Sequence, residues 1–351
     1  MAKPEFHVLT IAAVRRLTDE SVAVSFNVPV DLAASYDFVP GQYLTLRTTI
    51  DGEDARRSYS ICSARGEKLE VGIKHLPGGL FSTFAQSLQA GDSLQVMTPQ
   101  GNFKAEIGGR HQYVLIAAGS GITPCLSIAR SVLEHEPESV VTLVYGNRTT
   151  ASIMFRQEIN DLKDLHTTRF VCVNVLSRER QDAECLNGRI DGGKVTALSR
   201  QKLLNLTHCD GVYICGPPAM VEDVKAALGN GVIIHTELFT SVSAIELNKA
   251  PDAVTDTEAV PVKIIIDGAE REVMVNTQVE TVLAAAQKAG LDLPFSCAGG
   301  MCCTCRCKVV NGQTAMDMNF SLADWEVEAG FTLACQTRPL DNAVVLDFDE
   351  C

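Results

Sequence analysis

Four cysteines constrain this 351-residue chain more tightly than anything else in it. Cys297 and Cys302 are separated by four residues, Cys302 and Cys305 by two, and Cys335 follows after a long interval. The spacing C-x4-C-x2-C…C is that of a plant-type 2Fe-2S site, which needs four thiolates converging on two irons. Gly299 and Gly300 within the loop allow positive φ, so backbone N–H groups can turn toward a negatively charged cluster. Phe295, Ala298 and Met301 are expected to be buried there and to keep water away. A zinc site is the competing reading, but zinc knuckles show two close Cys/His pairs and this stretch has one Cys-x-x-Cys and two uneven singles. Cys303 and Cys307 are expected to be small packing residues that face away from the irons.

Thirteen cysteines is an odd count, and the N-terminus has no basic segment followed by an apolar one. Both argue against a secreted disulfide framework and for a reducing cytoplasm. The longest apolar runs, such as Tyr113–Ala118, are strand-sized, far below the roughly 20 residues of a membrane span, so no membrane partner is expected. A net charge of −13 argues against nucleic acid. Residues 260–351 hold 13 Asp/Glu against 6 Lys/Arg. An acidic region of that kind is either a solvated surface or one steered toward a basic partner. The length suggests two or three domains.

Residues 1–108 read as an antiparallel β-barrel. Strand-like stretches recur at His7–Val14, Ser21–Val28, Tyr43–Thr48, Arg57–Ser60, Lys68–Lys74 and Ser93–Met97, broken by Pro-Gly, Asp-Gly and Ala-Gly pairs. A flavin dinucleotide needs an aromatic face for its ring, a cation for its diphosphate, and a backbone that lets phosphates approach closely. Candidates for all three occur in order: Arg57, Ser58, Tyr59 and Ser60, then Ile73 and Lys74, then Gly78, Gly79, Leu80, Phe81, Ser82 and Thr83.

Residues 109–240 change period and read as a doubly wound α/β domain. The run 113–118 is a strand buried on both faces. Gly119-Ser-Gly121-Ile-Thr123-Pro124 follows, and then a helix over Cys125–Glu134. A strand, a Gly-x-Gly turn and a helix N-terminus make a phosphate-binding element. Further strands are expected at Val140–Tyr145, Arg169–Leu176 and Gly211–Cys215, the last running into Cys215-Gly216-Pro217. Arg148, Ser177, Arg178 and Arg189 fall at strand ends, where arginine forks suit the 2′-phosphate of NADPH better than the bare ribose of NADH. Residues 241–259 are small, polar and Pro-containing, a linker. Residues 260–351 read as an α+β, β-grasp 2Fe-2S ferredoxin-type domain: two strands around Asp267-Gly268, a helix over Thr281–Ala289, the cysteine loop, and strands near Cys307–Val310 and Ala343–Phe348.

The order Arg-x-Tyr-Ser, Gly-x-x-Ser, Gly-x-Gly and Cys-Gly-Pro-Pro resembles the ferredoxin–NADP reductase superfamily. The resemblance implies FAD as the flavin, with Arg57 on its pyrophosphate, Tyr59 stacked on its ring, Ser60 hydrogen-bonded beside it, and the amides of Gly79–Ser82 around the phosphates. It also implies that Cys215 lies beside the nicotinamide, and that Glu237 and Phe239 return to the flavin. The whole chain is similar to reductase components of bacterial multicomponent oxygenases. Two stretches, Cys302–Lys308 and Gly312–Leu322 with Trp325, resemble a subgroup whose di-iron oxygenase subunit acts on a coenzyme A thioester. A hydride brings two electrons, an iron–sulfur centre takes one at a time, and a flavin can do both. The chain itself contains no Glu-x-x-His and no Cys-x-His, so it shows no di-iron carboxylate pair or Rieske centre of its own. Reductases of 3-ketosteroid 9α-hydroxylase and of the hybrid-cluster protein share the domain order, and a non-catalytic redox sensor is the alternative of another class.

Overall fold

The computed structural model describes residues 4–238 and 259–350; residues 5–238 form one compact unit and residues 259–350 belong to a second. Phe239 and all of the expected linker except Ala259 lie outside the described residues.

The first unit begins with six antiparallel strands: β1 (Phe6–Thr18), β2 (Ser21–Asn27), β3 (Tyr43–Ile50), β4 (Glu53–Ser60), β5 (Glu70–Lys74) and β6 (Ser93–Met97). Their order is β4-β3-β6-β1-β2-β5. The sheet curls until the chain leaving β4 meets β5, through an Ile61–Val71 bridge and Cys62 N–H donating to Glu70 O at 2.9 Å. Alternate residues such as Leu44 and Leu46, Val22 and Val24, and Val71 and Ile73 fill the interior. Asp51-Gly52 turns β3 into β4 with both residues at positive φ, which is what a two-residue hairpin on twisted strands demands. A short helix α1 (Leu80–Phe84) covers one end.

The same unit continues with five parallel strands: β7 (Gln112–Ala118), β8 (Val140–Asn147), β9 (Phe170–Leu176), β10 (Gly211–Gly216) and β11 (Ile234–Leu238), in the order β11-β10-β7-β8-β9. On β7, Tyr113, Leu115 and Ala117 face helices α2 (Ile122–His135) and α3 (Arg156–Leu165). Val114 and Ile116 face α4 (Gly192–Arg200) and α5 (Pro218–Leu228). The order reverses between β7 and β10, the switch point where ligands of such sheets bind. Helix α2 starts at Ile122, three residues before the predicted Cys125, because a first turn tolerates Pro124.

Barrel and parallel sheet share a close seam. Gly72 of β5 lies so near α2 and Phe155 that a Cβ there would sit 2.7 Å from Thr123 Cγ2 and 2.9 Å from the Phe155 ring. Ser127 Oγ donates to Ser63 O at 2.7 Å, Arg65 N–H to Ser131 Oγ at 3.0 Å, and Arg130 pairs with Glu67 at 2.6 Å. Arg15 of β1 links Glu70 of β5 and Glu158 of α3.

The second unit has strands β12 (Ala259–Ile266), β13 (Ala269–Asn276), β14 (Arg306–Asn311), β15 (Thr314–Met316), β16 (Phe331–Leu333), β17 (Thr337–Pro339) and β18 (Val345–Asp347). The main sheet runs β13-β12-β18-β14-β16, with only the β12–β18 pair parallel. Helix α6 (Val282–Lys288) is capped by the Thr281 side chain and buries Val282, Leu283, Ala285 and Ala286 in the core with Val262, Val273 and Leu346. A short helix α7 (Asp324–Glu328) precedes β16. No helix among the described residues is long and apolar enough to cross a membrane.

Candidate functional site

At the switch point three residues from distant parts of the sequence meet. Ser60, at the end of β4, donates its hydroxyl to Glu237 Oε2 at 3.1 Å, and the Cys215 thiol at the end of β10 donates to the same oxygen at 3.8 Å. Glu237 reaches them because β11 pairs in register with β10, Cys215 opposite Glu237. Burial above all, and then the Glu237 carboxylate, push the Cys215 thiol well up, so it stays protonated and is no thiolate nucleophile. Gly121 lets this junction close. A Cβ on it would fall 2.2 Å from Cys215 O, although its φ of −61° suits any residue.

On the barrel side the Tyr59 ring lies 5.6 Å from that of Phe81, and burial raises the Tyr59 phenol. Arg57 Nη1 donates to Arg56 O at 2.6 Å, and the Arg57 guanidinium has no carboxylate partner among the described residues. Ser58 stands between them on β4. Lys74 is held below the usual lysine range by burial, with Arg148 adding to the effect and Glu20, 3.9 Å away, opposing it.

The structure limits how several of the expected residues could meet a ligand. The Ile73 side chain is fully buried in the barrel core, so only its backbone can face a ligand. Gly79 N–H already donates to Leu76 O at 2.9 Å and cannot also wrap a phosphate. The amides without an intrahelical acceptor are those opening α1 at Leu80, Phe81 and Ser82. Ser82 Oγ is occupied by the Leu76 amide at 3.1 Å, and Thr83 Oγ1 by Gly79 O at 2.8 Å. Gly78 makes the preceding turn at φ +78°. In the nucleotide half, Gly119 is at φ +56° and its carbonyl accepts from Tyr145 OH at 2.9 Å. Thr123 and Pro124 are buried, and Thr123 Oγ1 closes the turn on Ser120 O at 3.0 Å. Gly216 leads to Pro217, which caps α5; a Cβ on Gly216 would lie 2.6 Å from Met220 Cε.

Arg148, Arg178 and Arg189 are exposed, and none pairs with a carboxylate among the described residues. Arg178 N–H donates to Arg148 O at 2.8 Å and Ser177 N–H to Asn147 O at 3.0 Å, which ties the ends of β8 and β9 together. Glu179 is turned away from them. Its carboxylate accepts from the Thr150 hydroxyl at 2.6 Å and the Thr150 amide at 2.7 Å, and these bonds hold it below the usual carboxylate range.

In the second unit the four motif cysteines come together in two pairs. The Cys302 thiol is drawn down to about 6, first by the hydrogen bond from Cys297 and then by Thr304, while burial opposes. Cys335 is lowered, first by the bond from Cys305. Their donors Cys297 and Cys305 are pushed well up by giving those bonds and by burial. Two pairs are what two irons require, one pair on each. Backbone donors point at the sulfurs: Gly299 and Met301 N–H each lie 3.4 Å from Cys297 Sγ, and Cys297 N–H lies 3.4 Å from Cys302 Sγ. Ala298 and Gly300 adopt positive φ to aim them. The donor set and the cradle of amides fit a 2Fe-2S cluster.

Two further residues supply donors that the spacing argument did not name. Thr304 Oγ1 lies 3.2 Å from Cys302 Sγ, and the buried Gln336 amide reaches Cys335 Sγ at 3.7 Å and Ala298 O at 3.1 Å. Their sequence signal is adjacency to a ligand and nothing more. Phe295, Ala298 and Met301, expected to be buried, are half-buried. Cys307 is buried in the core as expected, and Cys303 is half-buried against it.

Three family models match in this order: oxidoreductase FAD-binding domain over residues 9–105, oxidoreductase NAD-binding domain over 115–226, and 2Fe-2S iron-sulfur cluster binding domain over 264–340. The chain is 44% identical to one of the subunits of the 1,2-phenylacetyl-CoA epoxidase of Escherichia coli K12, covering 98% of each chain. It is 30% identical to the ferredoxin reductase component of 3-ketosteroid-9-alpha-monooxygenase of Rhodococcus rhodochrous, over 97% of this chain and 96% of that one. The solved structure of phthalate dioxygenase reductase superposes with a TM-score of 0.58 at 22% identity, over 98% of both chains, which supports the fold. The chain belongs to the ferredoxin–NADP reductase superfamily, among the members with a C-terminal 2Fe-2S domain: an NAD(P)H-dependent flavin and iron–sulfur oxidoreductase of the kind that serves oxygenase components.

Proposed function

We propose that this chain takes hydride from NADPH onto FAD and passes single electrons through its cluster to the di-iron oxygenase subunit of a phenylacetyl-CoA epoxidase, in cytoplasmic breakdown of phenylacetate. Bound FAD supplies the conversion from a two-electron donor to a one-electron acceptor. The observation that carries the reading is the sharing of Glu237 Oε2 by Ser60 of the barrel and Cys215 of the parallel sheet. It brings the flavin-side and nicotinamide-side residues to one carboxylate. In this reading Tyr59 lies against the ring, Arg57 and the opening amides of α1 hold the diphosphate, and the turn at Gly119–Gly121 receives the nucleotide phosphates. The unpaired Arg148, Arg178 and Arg189, with Ser177, receive the 2′-phosphate, while Glu179 is tied to Thr150 and does not compete for the ribose. Cys297, Cys302, Cys305 and Cys335 hold the cluster.

The test is reconstitution. Anaerobic NADPH should bleach flavin and iron–sulfur absorption in turn; in a second, aerobic assay, NADPH, phenylacetyl-CoA, O2 and the epoxidase oxygenase subunits together should give oxygenated phenylacetyl-CoA. The 30% identity to a ketosteroid reductase favours one other acceptor, so that oxygenase belongs in the same assay. Faster turnover with it, or no flavin reduction by either nicotinamide, would overturn the proposal.

A further inference from the structure

Strand β14 starts immediately after Cys305, and its pleat sends Cys305 and Cys307 into the core. Arg306 and Lys308 therefore share the opposite face, yet the two cations are treated differently. Lys308 keeps 35% of its side chain in solvent and meets Glu350 at 2.6 Å. Arg306 keeps only 11%: its Nε is 3.0 Å from Glu326 Oε1, and its guanidinium carbon lies 3.5 Å from the centroid of the Phe331 ring. Glu326 is 6% exposed and accepts the Ala323 amide at 3.0 Å with its other oxygen, which fixes it at the start of α7.

A buried ion pair is a poor source of stability, because desolvation of both charges offsets most of their attraction. This one is built into the strand that continues from a cluster ligand, with Arg306 directly following Cys305 in the chain and Glu326 held against it at 3.0 Å. The Arg306 backbone N–H donates to Cys303 O at 3.1 Å, which ties the start of the strand to the cysteine loop. Across the ladder Arg306 stands opposite Leu333, two residues before Cys335. In such a low-dielectric setting a fixed charge acts more strongly than at the surface.

We propose that Arg306 and Glu326 are positioning charges that set the reduction potential of the cluster, Arg306 stabilising the added electron and Glu326 opposing it. The inference rests on the reading that the four motif cysteines hold a 2Fe-2S cluster. One electron arrives from the reduced flavin, and no bond is made or broken.

The experiment is an anaerobic redox titration of the full chain, followed by visible absorption and electron paramagnetic resonance. Glu326→Gln keeps an acceptor for the Ala323 amide and removes the negative charge. It should raise the reduced-to-oxidised ratio at fixed poise on the order of tenfold, or ~59 mV for a one-electron couple. Arg306→Gln should move it the other way, the double variant should return near the starting potential, and Arg306→Lys should hardly shift it. Shifts of the same sign in both single variants, or less than about threefold in Glu326→Gln with cluster absorption intact, would overturn the proposal. So would loss of the cluster from both Glu326→Gln and Arg306→Lys, which would make the pair a structural brace. Absence of a cluster in the unsubstituted chain would instead refute the ligand reading.

Discussion

Gly121→Ala isolates the close approach at the switch point. The backbone there, φ −61° and ψ −5°, is open to any residue, so the substitution adds one methyl group and no torsional strain. That methyl would lie 2.2 Å from Cys215 O, 2.6 Å from its carbonyl carbon and 3.1 Å from Gly216 N, all backbone atoms that cannot rotate aside. Ordinary contact requires a retreat of about 1 Å. Overpacking of this kind costs about 1–3 kcal/mol, a few degrees of melting temperature. The retreat moves the Cys215 end of β10, and a displacement of about 1 Å at a reacting centre lowers a rate on the order of 100-fold. Stopped-flow mixing of NADPH with the oxidised protein, read at the flavin absorption band, measures the hydride step directly. Gly119→Ala is the control: φ is +56° and nothing lies within 4 Å, so its penalty is left-handed strain of about 1–2 kcal/mol without a clash against Cys215. Flavin reduction in Gly121→Ala within about threefold of the unsubstituted rate, or equal slowing in both variants, would refute the steric reasoning.

Cys335→Ser should abolish the iron–sulfur absorption and leave flavin reduction by NADPH intact; loss of both would show that the two units depend on each other. Arg178→Ala should raise KM for NADPH on the order of tenfold and leave that for NADH nearly unchanged, since a charge-assisted bond contributes about 1.5–3 kcal/mol only where the 2′-phosphate is present. Glu70 is held above the usual carboxylate range by burial, against the opposing Arg15 and Arg130. The folded state then binds the proton more tightly than the unfolded chain, so stability should fall as pH rises from the unfolded value through the raised one. Melting curves from about pH 4 to about pH 7 should show that decline, and Glu70→Gln should flatten it.

Much of this was legible in the sequence because the signals are local. Asp51-Gly52 and Asp267-Gly268 marked hairpins that form with both residues at positive φ, and the alternation of β3 and the unbroken apolar run of β7 distinguished one-sided from two-sided burial. The four thiols were read from spacing alone, and the structure gathers them into two pairs. What escaped was set by tertiary contact. Elements of three to five residues, β15, β16, β17 and α7, have too few turns or alternations to show a period. Gly79 looked like a phosphate contact, but its amide is taken by Leu76. Gly121 was read as part of a phosphate turn, and its second constraint, the space required by Cys215, has no local signature. Ile73 follows the strand pattern, which puts its side chain in the core and leaves only its backbone for a cofactor. The Arg306–Glu326 pair joins residues 20 positions apart and has no local signature.

The seam at Gly72 bears on how such proteins can be recombined. With no room for even a methyl group between β5 and the Thr123–Phe155 surface, any donor sequence for one side must bring its own counterpart for the other. A chimaera cut near residue 108 would pair surfaces that were never fitted to each other. Exchange of residues 5–238 as a single block keeps the fit, so barrel and parallel sheet are best transplanted together.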